Sequence, residues 1–410
     1  MLKLFAAPQP LRLPLCLPDT LSQPVTAGRT TPHPGLWLWA MMTAVISIIA
    51  VIQPHRCISW IYRQAAEAWA TASPLYAPGL HGFLYFPTGT LVYGPFALLP
   101  QPFDSHAWRL FLSAALVLAV RRYARTLAPA AGVAAAGMVL ALAVPAAVID
   151  LLRGQMTLLM AAILLVAAAD AADGHHRRAG FWLALAVFVK PLALVPAVLI
   201  IVALPGAGLS FAAGLLIGVT VGMLHPHPDY AMAQWVAMID KLRVAASPDS
   251  GTWFDIGALL KRLRLIEPTE SLFGLRLAAA LSTLFLALLA ARKFPTRIAA
   301  VCCLHLGCCY LLLWNPRVEE GSYVMLALLL GGQAAIAART PGHGRQALIA
   351  ICLCLALGTH MYGDWLYRPT AAWIKQVVAL IHMATLAWNI LASKNYRRSP
   401  QNIHALSMGN

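Results

Sequence analysis

The sequence has very little charge. Only 11% of its 410 residues are Asp, Glu, Lys or Arg, whereas 60% are hydrophobic, and the mean hydropathy is +0.71. So few charges cannot cover a soluble globule of this size. The alternation of polar and apolar residues that a membrane barrel needs is also absent. Apolar runs able to cross the roughly 30 Å of a bilayer's hydrocarbon recur instead, and lipid offers the backbone no partners. We therefore predict an all-α, multi-pass transmembrane bundle of about 10–12 helices.

Acidic residues are scarce: 15 against 30 Lys and Arg, for a net charge of +15. The basic residues fall in short clusters between apolar runs, which is typical of cytoplasmic loops that obey the positive-inside rule. This pattern favours membrane lipids with anionic headgroups as partners and speaks against nucleic acid.

The eight cysteines do not form a disulfide framework, because Cys302, Cys303, Cys308, Cys309, Cys352 and Cys354 lie in apolar runs typical of helix cores. The spacing around His305 matches no zinc pattern, and we expect no metal. Residues 1–35 lack the apolar core and cleavage site of a signal peptide and are predicted to be a disordered cytoplasmic leader. A transmembrane domain over 36–392 and a basic cytoplasmic tail over 393–410 follow.

Hydropathy predicts the membrane spans and basic clusters predict their orientation. Placing all the clusters in the cytoplasm requires residues 180–204 to turn back on themselves, and Lys190-Pro191 is the natural break because proline disfavours helix at the residue before it. Residues 54–104, 149–155, 225–271, 314–321 and 361–370 then lie on the outer face. The predicted spans are 36–53, 105–120, 129–148, 156–169, 207–224, 272–291, 298–313, 322–338, 347–360 and 371–392.

Several outer segments carry polar residues with two possible roles. The first loop combines a candidate amphipathic helix over 60–72 with aromatic residues such as Tyr85, and is either an interfacial anchor or part of a site. Arg153 and Gln155 interrupt an apolar pattern, and either are solvated at the headgroups or bind a phosphate or sugar. Lys190, near the middle of an apolar run, either neutralises a lipid phosphate or extends to the surface.

The densest polar cluster between two predicted spans covers residues 314–323 and includes Asn315, Arg317, Glu319 and Glu320. A guanidinium can contact phosphate in bidentate fashion while a neighbouring carboxylate restrains it. The alternative is a capped, solvated turn.

These segments, taken in order, resemble glycosyltransferase family 87, the bacterial polyprenyl-phosphate-mannose-dependent mannosyltransferases of the glycosyltransferase-C superfamily. The resemblance covers roughly residues 55–340. It depends on the motifs AAEAW, FLYFP, PFALLP and RGQ, on the Lys190-Pro191 step, and on Asn315-Pro316-Arg317 ahead of Tyr323.

The resemblance implies transfer of a sugar, commonly mannose, from a polyprenyl-phosphate donor to a glycolipid or glycan acceptor. The reaction would take place at the periplasmic or exterior face of the bacterial cytoplasmic membrane and would need no cofactor. Lys190 and Arg317 would bind the donor phosphate, and Tyr85, Arg153, Gln155, Asn315 and Glu319 would complete the substrate site.

Members of the family usually carry an aspartate early in the first outer loop as the catalytic base. This chain departs from that pattern, since Arg56-Cys57-Ile58-Ser59-Trp60 contains no carboxylate. Glu67 is the nearest acid in the loop and is our predicted base, with Asp104, Asp150, Glu319 and Glu320 as other candidates. Two alternatives stay open: a transporter or lipid flippase, which the lack of internal repeats disfavours, and an inactive family member.

Overall fold

All of the regular secondary structure is helical in the residues that the structure, a computed structural model, describes, namely 33–246, 253–267 and 272–393. Those residues contain seventeen α-helices and no strand, which confirms the predicted all-α class. In chain order they are α1 (Pro34–Ile52), α2 (Ser59–Ala70), α3 (Gly89–Ala97), α4 (Phe103–Leu127), α5 (Gly132–Arg153), α6 (Met156–Ala172), α7 (His176–Val189), α8 (Leu194–Ala203), α9 (Gly208–Met223), α10 (Pro228–Ala246), α11 (Ile256–Arg262), α12 (Phe273–Lys293), α13 (Thr296–Trp314), α14 (Val324–Ala337), α15 (Gly344–Ala356), α16 (Asp364–Thr370) and α17 (Ile374–Ala392).

Eight helical segments within the described ranges are long and apolar enough to cross a membrane. They contain α1, α4, α5, α9, α12, α13, α14 and α17, and shorter apolar segments contain α6, α8 and α15. The predicted spans correspond to these helices, with the largest differences at the ends of α4 and α5. Helix α4 continues to Leu127 because Arg122 is held by ion pairs to Asp170 at 2.7 Å and Asp173 at 2.8 Å on the neighbouring helical segment.

Residues 180–204 form the predicted hairpin. Helix α7 ends at Val189, Lys190 is extended with φ −152° and ψ 119°, and a 3-10 turn over Pro191–Ala193 leads into α8. Gly180 lies against Ala207, so α8 returns to the level at which α7 began. The structure therefore has the predicted break at Lys190-Pro191.

The bundle has two chemically different ends. At one of them, which we call the basic end, Arg297 donates to the carbonyl of Thr126, Arg339 lies against Met138, and Lys293 donates to Ile390 and Leu391 at 3.0 and 2.8 Å. Arg122 and Arg125 belong to the same end through α4. The opposite ends of α5, α7 and α13 carry residues 150–155, 190 and 315–321, and we call this the polar end.

The loop between α1 and α4, which the sequence predicts to be the first outer loop, is fixed to α10. Its predicted amphipathic helix is α2, and the following turn is held by the buried Lys241 of α10, whose ammonium donates to the carbonyls of Ala77, Gly79 and His81 at 2.7, 2.6 and 2.6 Å. Lys241 is therefore a structural residue that holds this loop against α10.

Some sequence predictions fall outside the described ranges. The predicted leader up to residue 32 and the predicted tail beyond residue 393 lie outside the described residues. Five of the six cysteines predicted to lie in helix cores are buried, but Cys352 is exposed, because it occupies the outward face of the peripheral helix α15.

Candidate active site at the polar end

The junction between α5 and α6 orients the first site residues. Gly154 adopts the left-handed conformation with φ +70°, and the N–H groups of Gly154 and Gln155 donate to Leu151 and Asp150 at 3.2 and 2.9 Å, as in a Schellman cap. The indole of Trp108 donates to the carbonyl of Gly154 at 2.8 Å. This turn places Arg153 at the end of one helix and Gln155 at the start of the next.

The second element is the turn between α13 and α14. Asn315 ends α13 and begins the turn, and the hydroxyl of Tyr323 donates to the carbonyls of Phe254 and Leu312 at 2.7 and 3.3 Å. The backbone of Phe254 also donates to the carbonyl of Val318 at 2.9 Å. These bonds hold the turn against the segment that precedes α11.

The two elements meet at two contacts. The side-chain amide of Gln155, itself buried, donates to a carboxylate oxygen of Glu319 at 2.5 Å. Gly321 lies so close to the carboxylate of Asp150 that a Cβ at this position would overlap it. Glycine is therefore required where the turn crosses the end of α5.

Asp150 is a buried carboxylate on which several charged side chains act. Its side chain is 1% exposed, and its Oδ2 has no hydrogen-bond partner within the described part of the chain. The charges that act on it belong to Lys190, Glu319, Arg153 and Lys375. A buried carboxylate needs compensating cations, and here three of the four neighbouring charges are positive.

Two of the predicted phosphate-binding cations have few hydrogen-bond partners among the described residues. Lys190 donates one hydrogen bond, to Thr157 at 2.7 Å. The guanidinium of Arg317 lies over the ring of Trp253 at 5.0 Å, while its Nε and Nη1 have no hydrogen-bond partner among residues 33–246, 253–267 and 272–393. Burial lowers the pKa of Arg317, an effect that Glu319 and Tyr85 oppose. Unpaired donors of this kind can accept an anionic ligand.

Tyrosines form one wall of the site. The hydroxyls of Tyr62 and Tyr85 are 3.1 Å apart, and Tyr62 accepts a hydrogen bond from the backbone of Met156 at 3.3 Å. Burial, followed by smaller contributions that include Glu319 and Asp150, raises the pKa of Tyr85 well above its ordinary value. Both phenols are therefore neutral hydrogen-bonding groups.

Glu67, by contrast, does not join this group. Its carboxylate is 54% exposed and pairs with Arg63, one turn earlier on α2, at 2.7 Å. Arg63 also pairs with the buried Asp104 at 3.0 Å, and Tyr93 donates to the same oxygen of Asp104 at 3.2 Å. Tyr62 is on a different face of α2 and packs edge-on against Trp108, with the two ring centroids 6.2 Å apart. Glu67 and Asp104 thus form a separate cluster, and the role of Glu67 as base stays an untested prediction.

Sequence reasoning missed Lys375, Tyr62, His360 and Tyr367, and considered Asp150 and Glu320 only as alternative bases. The ammonium of Lys375 lies 3.0 Å from Glu320 although the lysine is on α17, far from the other site residues in sequence. The sequence did contain a signal for Lys375. This residue falls in a predicted span, and an ionisable residue in a span indicates a functional position. The same rule identified Lys190.

The polar end therefore combines cations, a hydrogen-bonded carboxylate and neutral phenols at one end of apolar helices. Such a site can bind an anionic headgroup, neutralise its charge and accept a proton. These features are those of a multi-pass helical membrane protein whose buried cations and carboxylates gather at one end of its helices.

Comparison with known families gives the particular class. The model of glycosyltransferase family 87 matches residues 83–316, which is more than half of the chain. The chain belongs to glycosyltransferase family 87, and the resemblance found in its motifs is confirmed. It is accordingly a membrane glycosyltransferase. The comparison with curated proteins gives no match.

Proposed function

We propose that the chain transfers a hexose, with mannose as the first choice, from a polyprenyl-phosphate donor to a glycolipid or glycan acceptor. The observation that carries this proposal is the contact between Gln155 and Glu319, which holds a carboxylate whose charge acts on Arg317 and on Asp150. The charges of Arg153 and Lys190 act on the same Asp150. Family membership supports the transfer reaction, and the charges support a phosphate-linked donor.

The donor phosphate would be bound by Lys190, Arg153 and Arg317. Arginine can make bidentate contacts to phosphate, and the free donors of Arg317 suit this role. Gln155, Asn315 and Tyr85 would contact the sugar. Asp150 would balance the cations when no donor is bound, since it is too deeply buried to reach an acceptor.

Glu319 is the carboxylate that geometry favours as base, because it is partly exposed, accepts a hydrogen bond from Gln155 and is close enough to Arg317 for their charges to interact. In the proposed step an acceptor hydroxyl oxygen attacks the anomeric carbon and Glu319 takes the hydroxyl proton. The bond between the anomeric carbon and the phosphate oxygen breaks, and polyprenyl phosphate leaves with its charge neutralised by the cations. Glu67 is the competing assignment.

An apolar groove supports a lipid-linked donor. It has a volume of about 510 Å³, faces outward between α4, α6 and α7, and is lined by side chains that include Leu159, Trp182 and Val189. Val189 directly precedes Lys190, so a tail lying in this groove would end at a cation. A hydrocarbon tail fits such a lining because both are apolar.

The polar end would face the periplasm or exterior of a bacterial cytoplasmic membrane. The basic clusters at the opposite end support this orientation through the positive-inside rule. A transporter would bind its substrate near the midplane, whereas the charged residues here gather at one end, which favours the transferase.

The proposal can be tested with the purified chain in liposomes containing radiolabelled polyprenyl-phosphate mannose and a bacterial lipid extract as the acceptor source. We expect label to appear in a new glycolipid or glycan with release of polyprenyl phosphate. Lys190→Ala, Arg317→Ala and Glu319→Gln should each reduce the rate by about a hundredfold or more, as expected for loss of charge stabilisation or of a base.

Asp364→Asn provides a matched control for carboxylate loss, because Asp364 is exposed and pairs only with its helix neighbour Arg368 in the described contacts. Glu67→Gln separates the two base assignments: loss of transfer in this variant with full activity in Glu319→Gln would reject Glu319. Movement of label across the bilayer without a new glycoside would favour a transporter, and no turnover of any donor would favour an inactive member.

A further inference from the structure

Lys375 is buried at the start of α17, well beyond the region that matches the family model. Its side chain is 1% exposed, and its ammonium lies 3.0 Å from Oε1 and 3.4 Å from the backbone carbonyl of Glu320. A lysine in such a position is costly unless it is paired and hydrogen-bonded. Its partner is thus the residue next to Glu319.

The carboxylate of Glu320 is held by further groups of the carboxyl-terminal region. The hydroxyl of Tyr367 on α16 donates to its Oε2 at 3.1 Å, and Nδ1 of His360 lies 3.7 Å from Oε1 and 3.4 Å from the ammonium of Lys375. Burial and the charge of Lys375 lower the pKa of His360 to about 4, although Glu320 opposes this. His360 is therefore neutral at neutral pH, and Lys375 supplies the positive charge.

Glu320 stands between the two contacts that join the 315–321 turn to α5 and α6. Glu319, one residue before it, accepts the hydrogen bond from Gln155, and Gly321, one residue after it, lies against Asp150. Consecutive residues share a backbone, so a displacement of Glu320 must displace both contacts. The pair formed by Lys375 and Glu320 anchors this turn to α17, while the bond from Gln155 to Glu319 joins it to α6.

We propose that Lys375 and Glu320 are a positioning pair, by which the carboxyl-terminal helices fix the Glu319 carboxylate in the transferase site, an inference that rests on the proposed function. Neither side chain touches the reacting atoms. A misplacement of about 1 Å in a catalytic group can cost roughly a hundredfold in rate. The carboxyl-terminal region would therefore set activity without contributing a catalytic residue.

The first test does not depend on activity. Backbone hydrogen exchange in detergent is measured over residues 317–323 in wild type and Lys375→Met, with residues 324–337 of α14 as the internal reference. We expect at least about tenfold faster exchange in the turn and little change in α14, because local opening follows the loss of restraints. Unchanged exchange in the turn overturns the positioning pair whether or not the wild type transfers sugar.

The second test separates positioning from simple stabilisation. Lys375→Met should lower kcat by about tenfold to a hundredfold with little change in KM for the donor. Lys375→Met combined with Glu320→Gln leaves no unpaired buried charge and should recover the melting temperature, while kcat stays low because the anchor is absent. Parallel recovery of kcat and melting temperature would overturn the proposal.

Lys293→Met is the matched control, because Lys293 also binds α17, through the carbonyls of Ile390 and Leu391 at the basic end. It should leave exchange in the turn unchanged. If Lys375→Met cannot be purified, Tyr367→Phe removes one bond to the same carboxylate and should raise exchange in the turn by a few fold. A wild type that transfers no sugar would refute the proposed function, and the exchange results would still decide whether the pair anchors the turn.

Discussion

Gln155 and Glu319 are 164 residues apart in sequence, yet the amide of the first donates directly to the carboxylate of the second. The contact joins the start of α6 to the turn after α13. It therefore joins residues 150–155, which precede the α7–α8 hairpin, to residues 315–321, which follow α13.

Replacement of Gln155 by Leu should reduce transfer while leaving the fold intact. The substitution removes the donor that holds Glu319, and loss of one hydrogen bond to a charged group costs about 1.5–3 kcal/mol. We expect a decrease in kcat/KM of roughly tenfold to a hundredfold, measured as initial rates in liposomes. Gln346→Leu at the basic end is the control and should have full activity; equal losses in both variants would contradict a specific role for Gln155.

Gly321→Ala should destabilise the polar end. The added Cβ would overlap the carboxylate of Asp150, and overpacking of this kind costs about 1–3 kcal/mol. A lower melting temperature in detergent and slower transfer are expected together. Gly344→Ala is the matched control, since a Cβ there meets no atom within 4 Å. If both variants melt alike, the close approach of Gly321 to Asp150 is wrong.

Lys241→Met should release the first outer loop. Three carbonyls lose their common donor, and each hydrogen bond to a charged group contributes about 1.5–3 kcal/mol. Limited proteolysis should then cut within residues 77–82 in the variant but not in wild type. Lys261→Met, at an exposed site on α11, should behave as wild type.

Stability should depend on pH through His360. Its pKa is about 4 in the folded chain and 6.5 in an unfolded one, so the unfolded chain binds the proton more readily. The group therefore has no effect on the free energy of unfolding above about pH 7, and the free energy falls as pH decreases from 6.5 towards 4. The loss attributable to His360 is on the order of 3 kcal/mol at most.

The measurement is the melting temperature at about pH 7 and pH 5, in wild type and His360→Gln. The melting temperature of wild type should fall more on acidification than that of the variant, because the variant lacks the imidazole that takes up a proton on unfolding. The control is His343→Gln at the basic end, whose melting temperature should fall on acidification by as much as that of wild type. An equal acid loss in wild type and His360→Gln would show that His360 is not buried as the structure has it.

The fold was largely predictable because the spans and the break at Lys190-Pro191 depend on local composition and on the covalent geometry of proline. Lys190 was singled out for a similar reason, because a charge in an apolar run is conspicuous, whereas Arg317 was singled out by the dense polar cluster around it. The pairing of Gln155 with Glu319 was not predictable, because it depends on how α6 and α13 pack across the bundle. Glu67 was favoured for its place in the loop, whereas the face of α2 on which it lies depends on the packing of Tyr62 and Trp69.

The orientation of the bundle predicts opposite labelling at the two ends of α15. Asp364 and Arg345 are both exposed and are separated by this short helix, with Asp364 on α16 beside Tyr367 at the polar end and Arg345 at the basic end. In a background with Cys352 replaced by Ser, Asp364→Cys should react with an impermeant maleimide added outside intact cells. Arg345→Cys should react only after permeabilisation, because the positive-inside rule keeps basic ends cytoplasmic. The reverse labelling would place the cations and Glu319 on the cytoplasmic side, where an acceptor at the outer face could not reach them.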